Sequence, residues 1–488
     1  MSKIEIKSTF MLPLISIPEV VKHYAPHFES AFTQADYKHF QRYISGLIVS
    51  ENKTIEGINR LFVLEPRNQS TLNRFLTASK YDVSNLHRLR LELLNSQEQT
   101  RLKGEGHAGG VVSLDDTMLM HYGKCFDQIA YLKDHATDSY MWAHNLVNLH
   151  YSDDKTDYPL SFELWKPMNV ETVATAIQDA GYLIKSSKKE LKQTAPKKWK
   201  QHLRYLYKKH CGDERVRSSY RSKLTIGQDL LRDFYRAHPL DIPVAFDKWF
   251  TNPAFCRYID EDLEKGYVGG LKSSEKILRA GGKTISVGDF VKSLHEEHLT
   301  QSPEEEPRKQ PVFGKVTIRY KGKKEVYYNY CKVHHICGYG RQRLLISYSN
   351  PELTGTARVF ISNRLKWRSH QMARVGRHRW PVEEYHKEGK AEGLNKYQTR
   401  NFKAIEKHIA MVAVVYSILQ HSRHDSVLLN NLREQLDIKN IEGSLAFWRR
   451  AAQAQALWLL VQWLKVSIQE GMSLQQIVQT LIPAYGLS

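Results

Sequence analysis

Three charged residues stand at set intervals late in the chain: Arg379, Glu383 and Lys390. Far upstream, Asp115 and Asp247 each close a short apolar run that reads as a strand, Val111-Val-Ser-Leu-Asp115 and Ile242-Pro-Val-Ala-Phe-Asp247. Carboxylates brought by two strand ends and a helix can converge over a sheet edge and hold hard divalent cations through oxygen. Two such ions about 3.5 to 4 Å apart activate an attacking hydroxyl and stabilise the leaving oxygen in phosphodiester cleavage. A Glu bracketed by two cations suits the same task, since it can bind a metal while its neighbours grip a phosphate. The plainer alternative for this stretch is an amphipathic surface helix, and spacing alone does not bring distant acids together.

The elements that must position these side chains follow from the pattern around them. Pro381 has no N–H and a fixed φ, which suits the first turn of a helix and disfavours helical geometry in the residue before it. A helix is therefore predicted from about Pro381, with Glu383 in the first turn, where the macrodipole favours a carboxylate. Upstream, residues 1 to about 105 carry apolar positions at helical spacing, including a short helix, a turn and a second helix over 68–90. Gly104–Gly110 reads as a flexible joint. An antiparallel meander is predicted from Val111–Asp116, His144–Tyr151 and Tyr158–Trp165, then helices over 171–180 and 226–238 and strands over 242–247 and 267–272. Ser302–Pro311 is linker-like, four β-rich runs fill 316–362, and the chain beyond Pro381 reads as helical throughout. Tyr327, Tyr328, Tyr330 and Tyr339 fall in those runs, where cross-strand packing is expected of them.

The chain carries 71 Lys and Arg against 52 Asp and Glu, a formal charge of +19. That excess points to a polyanionic partner, nucleic acid first and an anionic membrane second. The most apolar late stretch, Ala451–Ile468, is interrupted by Gln453, Gln455, Gln462 and Lys465, so a buried helix is expected there and no membrane span. Five scattered cysteines fit a reducing cytosol. From Lys185 to Lys223 there are 14 Lys and Arg but 3 acids, interleaved with Trp199, Tyr205, Tyr207 and Tyr220. Cations for phosphates and aromatic faces for bases make this a candidate nucleic-acid segment, with Lys197, Lys198 and Trp199 as contacts, although a solvated charge run would look the same.

These motifs resemble a DDE transposase of a bacterial insertion sequence, of the group that includes insertion sequence family four. That group's signature is Y-x2-R-x3-E-x6-K, and Arg379, Glu383 and Lys390 match its last three members; Gly376 stands at the tyrosine position. Leu114-Asp-Asp-Thr117 resembles the first-acid motif, Val244-Ala-Phe-Asp-Lys-Trp-Phe250 the second and Arg379-Trp-Pro-Val-Glu383 the third. The resemblance spans roughly residues 30 to 420. It implies an α/β fold with a ribonuclease-H-like catalytic core, a β-rich insertion and flanking helical N- and C-terminal regions. The implied division is 1–105 helical and DNA-binding, 106–275 first part of the core, 276–365 insertion, 366–420 core helix with the third acid, and 421–488 helical.

It further implies that Asp115, Asp247 and Glu383 form the catalytic and metal-binding triad for Mg²⁺, with Mn²⁺ as a substitute. Asp116 is the alternative first acid, because neighbours in a strand face opposite sides and one alone can line the site. Arg379 and Lys390 would hold phosphates of the element's end, a fork and a point charge respectively. Lys272 is a further DNA contact, and Trp380 is expected to pack against the core. The implied partners are double-stranded DNA, both transposon ends and target, and a second copy in a synaptic homodimer, in the bacterial cytoplasm at the nucleoid.

Overall fold

The computed structural model describes residues 12–104, 109–134, 137–300, 311–438 and 444–486. The expected joint at Gly104–Gly110 and the linker at Ser302–Pro311 lie largely outside these residues. Twelve strands form one sheet: β1 (Val111–His121), β2 (Ala130–Asp134), β3 (Ser139–Ser152), β4 (Asp157–Trp165), β5 (Val244–Phe246), β6 (Tyr267–Gly270), β7 (Lys276–Leu278), β8 (Thr284–Ser286), β9 (Gly314–Tyr320), β10 (Lys323–Ile336), β11 (Gly340–Tyr348) and β12 (Arg358–Ser362). Across one half the order is β4-β3-β1-β5-β6, with β1, β3 and β4 antiparallel and β5 and β6 parallel to β1. With helices packed around it, this is the mixed α/β, ribonuclease-H-like core that the resemblance implied.

The β-rich segment continues that sheet. β12 pairs antiparallel with β6 through Phe360–Gly270 and Ile361–Gly269, and β11, β10, β7 and β8 follow outward. The meander is also longer than the sequence suggested. β1 does not end at its acids but runs on to His121, because β3 pairs with it over its whole length, from Val111–Ser152 to His121–Trp142. Asp115 is thus mid-strand rather than terminal.

The helix Phe402–Ser422 is buried along almost its entire surface and anchors the core beneath β4. A helix apolar on all sides can only sit inside. The helices Gln34–Val49, Gln69–Thr77 and Val83–Asn95 pack around it, as the helical spacing of residues 1 to about 105 predicted. Helices also fill the basic segment, principally Pro196–His210, which form a small core of their own with Val170–Asp179. Trp199 is 5% exposed inside that core, against Val173, Ile177 and Leu203. It is therefore a packing residue and not the base-stacking contact expected, because Trp199, Leu203, Leu206 and Tyr207 share the inward face of this helix, while Lys197, Lys198 and Tyr205 stay exposed. Among the described residues no helix is long and apolar enough to cross a membrane.

Candidate active site

The cleft forms where the parallel ladder stops. β5 pairs with β1 only at Val112–Val244, Ser113–Ala245 and Leu114–Phe246. The next residues along the two chains are Asp115, still within β1, and Asp247, just past the carboxyl end of β5, so both carboxylates emerge at the same level, where the end of a strand in an open sheet leaves room for a ligand. Asp247 begins a tight turn and its Oδ1 accepts backbone N–H bonds from Trp249 at 2.9 Å and Phe250 at 3.2 Å. Gly270, ending β6, permits that turn: a Cβ there would stand 2.9 Å from the Lys248 backbone nitrogen.

The third acid arrives on a helical pair, Ser369–Arg377 and Trp380–Ala391, joined by His378 and Arg379. The buried His378 fixes the joint. Its carbonyl accepts from Ser113 Oγ at 3.3 Å, its Nδ1 is 2.9 Å from Ser152 Oγ, and its Nε2 is 3.3 Å from Asp154. Held this way, the chain stays helical up to Pro381: Trp380, the residue before the proline, is already the first of the helix, against the usual tendency at that position, and the N-cap Arg379 stands at φ −70° and ψ −32°. Glu383 lies in the first turn, as expected.

Asp115, Asp247 and Glu383 all line one cleft of about 1630 Å³, and Arg379 lines it with them. Arg379 Nη1 lies 3.1 Å from Asp115 Oδ2, and its Nη2 donates to Glu383 Oε1. Burial pushes the Asp115 carboxyl up to about 7; Arg379 pulls against that shift, while Asp247 and then Asp116 add to it. Burial also raises Asp247, against the two turn N–H groups and Arg379. Acids that resist ionisation despite an adjacent guanidinium form a site short of positive charge. Oxygen-only donors of this kind fit a hard divalent cation. As they stand, no three of the described His, Cys, Asp or Glu residues are close enough together to hold one, and Arg379 bridges Asp115 and Glu383.

Asp115 and Asp116 separate as strand alternation requires. Asp116 turns from the cleft to Lys223, at 2.8 Å, and Asn145, at 2.6 Å. Lys223 in turn sits 4.5 Å over the Trp249 ring, tying the first acid's neighbour to the second acid's turn. Lys272 lines the cleft; Lys390 does not, and lies half-buried two turns along the helix in the field of Asp134. Trp380 is 44% exposed and lines the cleft, contrary to the core packing expected, because the anchored joint turns it outward. Gly376 also lines the cleft, with Phe360 beside it.

Sequence reasoning missed Lys248, Lys292, Arg358 and Arg377 on the cleft wall, and Lys223 behind it. Lys248 and Arg377 flank the acid motifs closely enough to have been suspected. Lys292 and Arg358 come from a helix and a strand of the β-rich segment, and no local signal marks them. Tyr327 lines the cleft too, its hydroxyl on Glu325, which pairs with Arg377 at 2.9 Å.

The raised Asp115 carboxyl has a measurable consequence. Its folded-state value lies above the ordinary one of about 3.9, so its stabilising contribution is complete at low pH and lost as pH rises through about 7. In chelator, Asp115→Asn is expected to melt close to wild type at about pH 4, near the unfolded-state value, and several degrees above it at about pH 8. Equal melting temperatures at the higher pH would show that this carboxyl is not strained when charged.

A family model of the DDE superfamily endonucleases matches residues 27–286, more than half of the chain, and the protein belongs to that family. The matched span takes in Asp115 and Asp247 and ends before Glu383. No curated protein matches the chain. Among solved structures, it is similar to a cryo-EM structure of a piggyBac transposase synaptic complex with hairpin DNA, at 9% identity and a TM-score of 0.41, covering 96% of this chain and 81% of that one.

Proposed function

We propose that this endonuclease-family protein is a DNA transposase of the insertion-sequence type with the Y-x2-R-x3-E-x6-K signature. It binds the ends of its mobile element, hydrolyses the terminal phosphodiesters and joins the freed 3′-OH to target DNA by direct attack. Two copies pair two ends, in the bacterial cytoplasm at the nucleoid. The observation that supports this most is that Asp115, Asp247 and Glu383, delivered by a mid-strand position, a strand end and a helix start, line one cleft.

Asp115, Asp247 and Glu383 are the residues that would hold Mg²⁺ or Mn²⁺. Bound there, a pair of divalent ions would activate the attacking oxygen and offset charge on the leaving one. Arg379 now satisfies the oxygens those ions would need, so it must let go of Asp115 and Glu383 before they can serve as ligands. A DNA phosphate is the natural alternative partner for its forked donors. Lys248, Lys272, Lys292 and Arg358 supply further positive charge on the cleft wall, in a chain of net charge +19. A phosphate contact by Lys390 requires DNA that reaches past the cleft.

Arg379→Gln is expected to weaken duplex binding and to flatten the dependence of log K on log salt by about 0.9, one phosphate's worth. An unchanged slope removes Arg379 from the phosphate path. Pre-cleaved ends incubated with target plasmid and Mg²⁺ test the reaction itself: joined products support a transposase, whereas hydrolysis without joining reduces the protein to a nuclease of the same family.

A further inference from the structure

We infer that the N-terminal helical region carries a second anion site, built for a phosphate group and separate from the acid cleft. It centres on Arg42, on the helix Gln34–Val49, which is only 4% exposed. A buried guanidinium normally has a carboxylate beside it, because an uncompensated interior charge is costly. Among the described residues no carboxylate forms an ion pair with Arg42, and the one that acts on it, Glu65, does so from a distance. Arg42 Nη1 donates to the backbone carbonyl of Glu65 at 3.0 Å and its guanidinium lies 4.1 Å over the Phe62 ring, while Nη2 is buried with no hydrogen-bond partner among the described residues.

Arg42 borders a pocket of about 360 Å³ whose wall also holds Lys22, Lys38 and Arg67, with Glu65 as its single acid. Lys22 is taken by Glu19 at 3.3 Å, but among the described residues neither Lys38 nor Arg67 forms an ion pair. The crowding of like charges registers on its members. Burial, then Arg67, holds the Arg42 guanidinium down at about 10 against a smaller pull from Glu65, and burial, then Arg67 and Arg42, lowers His39. A surplus of cations bordering a cavity, one of them with an unsatisfied donor, lacks one thing, an anion. Forked guanidinium donors match phosphate oxygens, and the pocket is at the small end of the range for bound ligands, roughly one nucleotide in size. The phosphate would be either a phosphodiester of a DNA strand or that of a free nucleotide.

Two titrations of the full-length protein separate these sources. Calorimetry with dAMP tests the free nucleotide, and duplex binding across a salt series tests the strand. A salt slope lower by about 0.9 in Arg67→Gln assigns the site to a DNA phosphodiester. An unchanged slope with dAMP affinity at least tenfold lower in Arg67→Gln assigns it to a free nucleotide. In either case Glu65→Gln tightens the same binding. If Arg67→Gln and Lys38→Gln change neither measurement, the inference is overturned. Both residues lie at the rim, so the test does not depend on whether Arg42→Gln still folds. Asp247→Ala disables only the acid cleft and leaves this binding intact, so failure here and failure of the transposase reading are distinguishable.

Discussion

Asp247→Ala is expected to abolish Mg²⁺-dependent cleavage of transposon-end DNA, by 10³-fold or more on the scale of losing a principal electrostatic group, about 4 kcal/mol of barrier. End binding should change little. The reason lies in the turn: Asp247 accepts two backbone N–H bonds from the residues that follow it, so its carboxylate is held at the end of β5 beside Asp115. Removing it leaves the basic wall of the cleft untouched. Asp115→Ala and Glu383→Ala should behave alike, with Arg379 losing one of its two acid partners in each. Cleavage assays beside a binding titration decide the matter. Retained cleavage in any of the three variants would remove that acid from the reaction, and loss of binding together with cleavage would make it structural.

Asp157→Ala is expected to cost about 3–5 kcal/mol, the range for stripping one partner from a buried ionic network. Asp157 begins β4 and is fully interior. Its Oδ1 accepts from Tyr416 at 2.7 Å and lies 3.4 Å from His150, and its Oδ2 accepts from Lys321 at 3.0 Å. Lys321 also lies 3.5 Å from Glu384, the neighbour of the third acid. One carboxylate therefore ties β4, the central helix, the β9–β10 turn and the Glu383 helix together. Burial works against its charge, yet Lys321, His150 and Tyr416 outweigh burial and hold it well below the usual carboxylate range. A depressed folded-state value means that this stabilisation is present above about pH 4 and lost as pH falls through the folded value. Calorimetric melting near neutral pH should show a drop of about 3–5 °C in the variant, since the unfolding entropy of a chain this long is about 1 kcal/mol/K. A change within about 1 °C would mean that Lys321 and His150 find other partners at no cost.

Much of the secondary structure was legible along the chain, because amphipathic spacing and strand alternation are local. The meander, the long C-terminal helices and the helix at Pro381 all follow from residue order and one or two punctuating residues. The acids were legible as types in motifs. Errors arose where a local cue competed with a distant partner. Two consecutive aspartates looked like the end of β1, yet β3 keeps that strand paired to His121. Trp199 looked exposed among lysines but packs inward, and Trp380 looked apolar enough for the core but faces the cleft.

Sequence by itself determined which side chains could do chemistry, their order and the elements that carry them, since these depend on residue identity and on neighbours within a few positions. Tertiary structure alone decided that β5 stops beside Asp115 and that Arg379 stands between two of the acids. It alone brought Lys292, Arg358 and Arg377 from the β-rich segment and the joint before Glu383 to the same wall. Those outcomes depend on which strands pair and where pairing ends, and that is settled by contacts between residues more than a hundred positions apart, which no local pattern encodes.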